Sequence, residues 1–122
     1  MGNRPSLLHK LTASASNLDA AQLREEVEKR SCIPLRELKP GGGCVEVVGR
    51  LRAVVYTPSE TVPTLVAELF DGTDSIDLVW LGRRRITGVE PGRQIVARGR
   101  VGDRDGHKAI YNPWYELLVP TA

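Results

Sequence analysis

The segment "CVEVVGRLRAVVY", residues 44–56, alternates two kinds of side chain along its length. One set of alternate positions is apolar and comprises Val45, Val47, Gly49 and Leu51. The other set is more polar and comprises Glu46, Val48, Arg50 and Arg52. Because successive side chains of a β-strand point to opposite faces, this pattern predicts a long strand with one face in a core. Gly49 lies mid-strand, where a barrel strand that bends sharply needs a glycine or a bulge.

Four further segments show the same alternation and predict four more strands. They are "TLVAELFDG" (64–72), "DSIDLVWLG" (74–82), "RQIVARGRVG" (93–102) and "HKAIYNPWYELL" (107–118). Asp-Gly pairs at 71–72 and 105–106 are hairpin turn signals, and the longer segment 83–92 separates the third strand from the fourth. Five strands, a long bent first strand and a separate segment after the third strand describe an OB-fold. We therefore predict a mainly β protein with a five-stranded OB-fold barrel over residues 44–122.

The chain before the predicted barrel is expected to form an N-terminal α-helical extension, residues 1–43. The segment "SNLDAAQLREEVEKR" (16–30) begins with residues that cap helices and ends in two basic residues, which is the charge order that the helix dipole favours. Leu23 and Val27 lie on one narrow apolar stripe, which needs another surface to pack on. Residues 1–15 contain too few apolar side chains to order themselves, so we expect them to be disordered.

The composition is that of one soluble domain with little net charge. The formal net charge is +2, and residues 44–122 carry ten basic and ten acidic side chains, so the predicted barrel is neutral. This balance argues against a strong non-specific polyanion binder. No apolar run approaches the roughly 20 residues of a membrane-spanning helix, and the N-terminus lacks the apolar core of a secretory signal. We therefore expect a cytoplasmic protein that does not bind a membrane.

Side chains that carry catalysis or hold cofactors are sparse in this sequence. The soft metal ligands are Cys32, Cys44, His9 and His107, whereas a zinc site needs three or four such ligands close together. The chain has no G-x-x-x-x-G-K-[ST] phosphate loop, no pairing of a nucleophile with a base, and no spacing that suggests paired carboxylates. We predict a protein without catalytic activity, metal or cofactor.

Several motifs follow one another as they do in a known group of OB-fold modules. An "I-x-L-V-W" strand at 76–80 follows Asp-Gly, "PG" at 91–92 precedes "G-R-V" at 99–101, and "NP-x-Y" occurs at 112–115. In this order they resemble the wedge OB modules of RecG-like helicases and small stand-alone actinobacterial OB-fold nucleic-acid-binding proteins, over residues 44–118. The resemblance implies binding of single-stranded or branched nucleic acid without a helicase motor.

Two groups of arginines are candidates for contacting phosphates. An OB-fold usually binds on the outer face of its second and third strands, where cations follow the phosphates and aromatic side chains stack on bases. Four arginines point outward from the first and fourth strands, which pair in an OB-fold, and we expect them to form one stripe. These residues are Arg50, Arg52, Arg98 and Arg100. The alternative is that they are solvated and paired with neighbouring acids. The second group, Arg83, Arg84 and Arg85, follows Gly82 and predicts a cationic rim at the strand end.

Aromatic side chains are the candidates for stacking on bases. Phe70 points outward from the second strand, where it is either a base platform or covered by the N-terminal helix. Trp80 shares the more apolar side of its strand, which favours a core position over a platform. Around Pro113, which implies an edge or a bulge, Trp114 is the best candidate for an exposed stacking residue. Lys108, near the connection between the fourth and fifth strands, is a further cationic candidate.

Two functions fit these patterns. The first is a non-catalytic accessory protein of DNA or RNA metabolism that binds single-stranded or branched DNA, with RNA as the alternative ligand. The second is a protein-interaction module with weak or no nucleic-acid binding, which docks a protein partner through the N-terminal helix. The arginine clusters and the resemblance favour the first function, whereas the neutral barrel favours the second.

Overall fold

The computed structural model describes residues 19–59 and 61–119 and is mainly β. A helix, α1 (19–29), and a 3-10 helix, Leu35–Glu37, precede the strands. The strands are β1 (Cys44–Thr57), β2 (Thr64–Phe70), β3 (Ser75–Leu81), β4 (Gln94–Arg104), β5 (His107–Tyr111) and β6 (Trp114–Leu117). None of the helices in the described ranges is long and apolar enough to cross a membrane. The segment 1–15, predicted to be disordered, lies outside the described residues.

The first strand closes five strands into a ring because its two halves pair with different partners. The half from Arg50 to Thr57 pairs with β2, and the half from Cys44 to Arg50 pairs with β4, both antiparallel. Around the ring the order is β1-β2-β3-β5-β4, in which β3 and β5 are the parallel pair. The mainly β class and the five segments of the ring agree with the sequence prediction.

Gly49 and Arg52 allow β1 to turn from one partner to the other. A Cβ at Gly49 would collide with the backbone carbonyl of Phe70, so the absence of a side chain lets β2 approach this closely. Arg52 has no partner in the pairing with β2, which makes it a β-bulge. The bulge reverses the alternation along β1, so that Val54 packs against the core and Val55 faces outward.

The predicted fifth strand, 107–118, is divided into β5 and β6 by a kink. Asn112 has a φ of 48°, in the left-handed region, and Pro113 has no N–H to donate to a ladder. The N–H of Asn112 donates to the carbonyl of Val79 (2.6 Å), and its side-chain oxygen accepts the N–H of Leu81 (3.0 Å). These bonds fasten the kink to β3. The predicted last strand is thus interrupted at the proline, where the sequence indicated an edge or a bulge, and its two parts pair separately with β4.

Alternate side chains of the ring strands fill the interior. Those of β2 and β3 are Leu65, Ala67, Leu69, Ile76, Leu78 and Trp80. Trp80 is 4% exposed and packs edge-on against Tyr115, with 5.7 Å between the ring centroids. Trp80 is thus a core residue, as its place on the apolar side of the strand favoured, and it is not open for stacking on a ligand.

Short segments outside the strands close both ends of the ring. Leu35 and Leu38, from the 3-10 helix and the residue after it, are buried in the core at the end next to the β2–β3 turn. Ile86 and Val89, from the loop between β3 and β4, are buried at the opposite end. The loop carrying the three consecutive arginines is therefore anchored from within by its own apolar side chains.

Helix α1 packs on the outside of the ring, across β1 and β4. Val27 forms a second apolar cluster with Cys32, Val48 and Val96, and all four are buried. Val48 and Val96 face each other in the pairing of the two strands. Burying each valine side chain contributes about 1.5–3 kcal/mol to stability. This contact explains why an apolar residue occurs at the outward position 48 of β1.

Polar contacts fix the N-terminal half of α1 against β1 and the β2–β3 turn. Asp19 pairs with Arg50 of β1, and the Nη1 of Arg24 donates to the carbonyl of Gly72 at 2.9 Å. Gly72 has a φ of 91°, and a Cβ there would collide with the carbonyl of Ala20. The helix backbone therefore lies directly on the turn, which requires a glycine at this position.

Candidate nucleic-acid interface

An apolar row crosses four strands on the outer surface of the ring. The register places Val55 of β1 opposite Val66 of β2, Val66 opposite Val79 of β3, and Val79 opposite Tyr111 of β5. The ends of this valine–tyrosine row are open, since 56% of Val55 and 41% of Tyr111 are exposed, whereas Val79 is fully buried. The open aromatic side chain at one end of the row offers a surface on which a base can stack.

Side chains on either side of this row set the charge of the surface. On one side Glu68 of β2 lies opposite Asp77 of β3, and each carboxylate has an arginine partner. Arg52 lies 3.5 Å from Glu68, and Arg104 lies 3.5 Å from Asp77. On the other side Leu81 of β3 is 43% exposed. The outer face is therefore apolar in its middle. At the edge formed by Glu68 and Asp77, the two arginines offset the charge of the two carboxylates.

Phe70 lies beside this surface but is not an open platform. The guanidinium of Arg52 lies over its ring, 4.1 Å from the centroid. Helix α1, the alternative cover, packs through Val27 with Val48 and Val96. One face of Phe70 is thus covered by an arginine of β1, and a base can stack on that face only on the outer side of the guanidinium or in its place.

The three consecutive arginines follow directly after β3. Gly82, with a φ of 79°, turns the chain out of the strand, and its N–H donates to the carbonyl of Pro63 at 2.7 Å. Arg83, Arg84 and Arg85 come next and are exposed, at the rim position expected from the sequence. We call them the arginine rim. Within residues 19–59 and 61–119, none of the three forms an ion pair.

The structure separates the four arginines that the sequence predicted to form one stripe. Because β1 and β4 are antiparallel, Arg50 lies opposite Gln94, about 20 Å along β4 from Arg100 at the usual rise of a strand. Arg52 lies beyond the bend of β1, where the strand pairs with β2. The predicted stripe was wrong because alternation gives the face on which a residue lies but not its register.

Three of these four arginines have acidic partners. The pairs are Arg50–Asp19, Arg52–Glu68 at 3.5 Å and Arg98–Glu46 at 2.7 Å. Arg100 is exposed and forms no ion pair with any residue that the structure describes. Pairing with neighbouring acids was the alternative left open by the sequence, and it reduces the positive charge that these residues offer to phosphates.

Trp114 is exposed, as expected of a stacking residue. Its exposed fraction is 49%, and it lies opposite Arg98 in the pairing of β6 with β4. The guanidinium of Arg98 lies over the indole, 4.3 Å from the ring centroid. One face of the indole is therefore covered by a cation, and the exposure belongs to the rest of the ring.

Lys108 lies at the end of the ring opposite the arginine rim and holds the structure together there. Its Nζ donates to the carbonyl of Leu35 (2.8 Å) and to the carboxylate of Asp74 (3.0 Å). The backbone N–H of Ser75 and the ammonium of Lys108 lower the pKa of Asp74. Lys108 therefore joins β5 to the 3-10 helix and to the β2–β3 turn, and its charge is already matched by a carboxylate.

The sequence did not single out the valine–tyrosine row. The outward direction of Val55 depends on the bulge at Arg52, which alternation alone does not predict. Val66 and Val79 occupy outward positions of β2 and β3, where a fully solvated face would carry polar residues. These two valines were the indication of the row that the sequence contained.

The rest of the described surface carries acidic and basic side chains but no cluster of metal-binding side chains. A hollow of about 260 Å³ beside the acidic edge is lined by Glu68, Asp77, Arg104 and His107, among others. In the parts of the chain that the structure describes, no group of three or more His, Cys, Asp or Glu side chains is placed to hold a metal ion.

Comparison with known proteins shows the fold. No family model and no curated protein sequence matches the chain. The structure of RecG bound to a three-way DNA junction is similar with a TM-score of 0.58 and 23% identity, covering 70% of this chain and 12% of that one. The solution structure of the OB domain of Ta0387 from Thermoplasma acidophilum is similar with a TM-score of 0.58 and 14% identity, covering 74% of this chain and 92% of that one.

These similarities identify the ring as an OB-fold. The chain covers 92% of the OB domain from Thermoplasma acidophilum but only 12% of the length of RecG. Its similarity to RecG is therefore a similarity to one part of that protein.

Proposed function

We propose that this protein binds single-stranded or branched nucleic acid, with bases on the valine–tyrosine row and phosphates on the arginine rim. The position of Tyr111 carries the proposal. Tyr111 is an exposed end of the apolar row, and the next residue, Asn112, is hydrogen-bonded to Leu81, two positions before Arg83. An aromatic platform and a run of arginines are therefore adjacent at one edge of the ring, which is the combination that single strands require.

Unpaired bases suit this surface better than a duplex does. Bases within a duplex are stacked on each other, so an apolar row and a tyrosine gain contacts only from bases that are splayed out. The similar fold in RecG, solved with a three-way DNA junction, supports DNA and branched substrates, and RNA is the alternative ligand. We further propose an accessory, non-catalytic role in the cytoplasm.

Binding should be modest and should depend on salt through few contacts. Residues 44–122 are neutral in sum, and three arginines near the surface already have acidic partners. If the three arginines of the rim each neutralise one phosphate of a single strand, the slope of log K against log salt is about −2. We expect a Kd on the order of micromolar at physiological salt.

A protein-interaction module is the second candidate function. The exposure of Val55, at 56%, favours it, since an open valine on a sheet surface also suits a protein partner. The predicted docking through the helix would have to use its polar side, because Leu23 and Val27 of α1 are buried, at 2% and 3% exposure.

Fluorescence anisotropy of a labelled, mixed-sequence single strand of about 20 nucleotides tests the proposed function. The protein is titrated at two salt concentrations, alongside the triple variant Arg83→Ala, Arg84→Ala, Arg85→Ala. We expect the variant to bind more weakly and its affinity to depend less on salt.

The matched control removes the same charge elsewhere. Lys29, Arg36 and Lys39 are exposed and form no ion pair within the described ranges, and changing all three to alanine should leave the salt slope unchanged. Equal losses in the two triple variants would show that only net charge matters. No binding by the wild-type protein at low salt would leave the protein-interaction module as the better hypothesis.

A further inference from the structure

The kink between β5 and β6 makes two aromatic side chains face the same way. In a regular strand, residues three positions apart point to opposite faces. Here Ile110 and Pro113 are buried, whereas Tyr111 and Trp114 are 41% and 49% exposed. Asn112, with its φ of 48°, is the extra residue that restores the outward direction after the kink.

Strand β4 supplies two arginines beside these aromatic side chains. Arg98 lies opposite Trp114 and covers one face of the indole. The pairing of β4 with β5 ends at Val101 and Ile110, and Arg100 and Tyr111 are the next residues of the two strands on the side of the kink. Both strand neighbours of the kink therefore carry an arginine of β4 close in register to an aromatic side chain.

The two arginines differ in what they can do. Arg98 is held by Glu46 at 2.7 Å and by its stack on Trp114, so it supports the indole from one side. Arg100 is exposed and has no ion pair among residues 19–59 and 61–119, so its guanidinium is open to a phosphate. Aromatic rings with an open cation between them favour a nucleotide strand over a neutral peptide.

We propose that Trp114 and Tyr111 are two stacking positions for bases of one single strand, with Arg100 as the phosphate contact between them. Three residues span at most about 10 Å, so nearby bases of one strand can reach both rings. The proposal rests on the proposed function and extends it. In this proposal the strand runs from the valine–tyrosine row over the kink to β4 and β6. This path extends beyond the face of the second and third strands, where OB-folds usually bind.

The intrinsic fluorescence of Trp114 tests this path directly. The chain has two tryptophans, and Trp80 is 4% exposed in the core, so a ligand that stacks on indole affects Trp114. An unlabelled single strand of about 20 nucleotides should quench the emission with the same Kd that anisotropy gives. Trp114→Ala should weaken binding by roughly 5- to 150-fold, the usual effect of losing one stacked base.

Two further variants separate stacking from other effects. Trp114→Phe should lose the fluorescence signal but keep most of the affinity, because phenylalanine also stacks, and it replaces the alanine variant if that one misfolds. Arg100→Ala should weaken binding several-fold, whereas Arg36→Ala, which removes an exposed arginine outside this surface, should not.

The outcomes distinguish this proposal from the proposed function. If anisotropy reports binding while Trp114 emission stays constant and Trp114→Ala binds like the wild type, the stacking pair is wrong and the proposed function stands. If the wild-type protein shows no anisotropy change, both fail. Quenching of Trp114 that weakens on Tyr111→Ala supports one strand that crosses the kink.

Discussion

The carboxylate of Asp71 accepts the backbone N–H of Leu35 at 2.8 Å and thereby ties the 3-10 helix to the β2–β3 turn. Its second oxygen accepts the N–H and the hydroxyl of Thr73, at 2.8 and 2.6 Å, and the N–H of Asp74 at 3.2 Å. Asp71 is fully buried. One side chain thus satisfies three backbone donors at the end of the ring that the 3-10 helix closes, a role that only an acceptor with two oxygens can fill.

Asp71→Asn should destabilise the protein. The amide of asparagine offers one acceptor oxygen and points an NH₂ group at a donor, so at least one buried N–H loses its partner. Leaving such a group unpaired costs about 1–3 kcal/mol. Urea unfolding followed by circular dichroism measures the loss. Glu90→Gln, at an exposed turn position, is the control and should leave the midpoint unchanged; an equal midpoint for Asp71→Asn would contradict the role of this carboxylate.

Gly72→Ala should loosen α1 from the ring. A Cβ at Gly72 meets the carbonyl of Ala20, and the φ of 91° also strains an L-residue. Gly106→Ala is a matched control, because Gly106 has a φ of 87° and nothing within 4 Å of its Cβ position. The difference in unfolding free energy between the two variants isolates the helix contact. We expect faster hydrogen exchange in residues 19–29 for Gly72→Ala only; equal exchange in both variants would mean that the contact is unimportant.

Local patterns in the sequence predicted the parts of the fold that depend on neighbours along the chain. The Asp105-Gly106 turn is an example, since both residues have positive φ, 52° and 87°, as a tight hairpin between two strands requires. The core position of Trp80 followed in the same way from the alternation of β3.

Features that depend on contacts between distant residues were not predictable in this way. The bulge at Arg52 reverses the faces of the second half of β1, and Gly49 indicates a bend in this strand but not the position of the extra residue. The partner of Val27 is set by three-dimensional packing, so the alternative in which α1 covers Phe70 could not be resolved from spacing. Ion pairs such as Arg98–Glu46 likewise follow from register.

Tyr111→Ala should weaken single-strand binding. Loss of one stacked base costs about 1–3 kcal/mol, which corresponds to roughly 5- to 150-fold in Kd. Tyr111→Phe keeps the ring and should stay within about threefold of the wild type. Anisotropy titrations at one salt concentration compare the three proteins. Val119→Ala, an exposed position with 83% exposure outside the row, is the control, and a loss there equal to that of Tyr111→Ala would remove the case for this face.

Asp74 should make stability depend on acid pH. Its pKa is lowered from 3.8 by the N–H of Ser75 and then by Lys108. A lowered native pKa means that the carboxylate contributes stability above the unfolded value, near pH 4, and loses it as the pH falls through the native value. Asp74→Asn should therefore be less stable than wild type at pH 7, and the gap should narrow below about pH 4. Urea unfolding at pH 7, 4 and 3 measures the difference in unfolding free energy between the two proteins. A difference that does not change with pH would contradict the stabilising role of the Asp74 carboxylate.

The two cysteines should differ in reactivity. Burial, followed by the nearby carboxylate of Glu46, raises the pKa of Cys32, whereas Cys44 is exposed. Because the thiolate is the reactive form, iodoacetamide at pH 8 should label Cys44 several-fold faster than Cys32. Peptide mass spectrometry follows both sites. In denaturing urea the two rates should converge, and a difference that persists there would show that packing is not its cause.

The divided pairing of β1 also sets an order on folding. The second half of this strand pairs with β2, which is close in the chain, whereas Val47 of the first half pairs with Ala97, about 50 residues later. A nascent chain that has not yet extended to β4 can hold an open meander of three strands, with the edge from Cys44 to Arg50 exposed to other chains. We therefore expect closure of the ring to be the late and aggregation-sensitive step of folding.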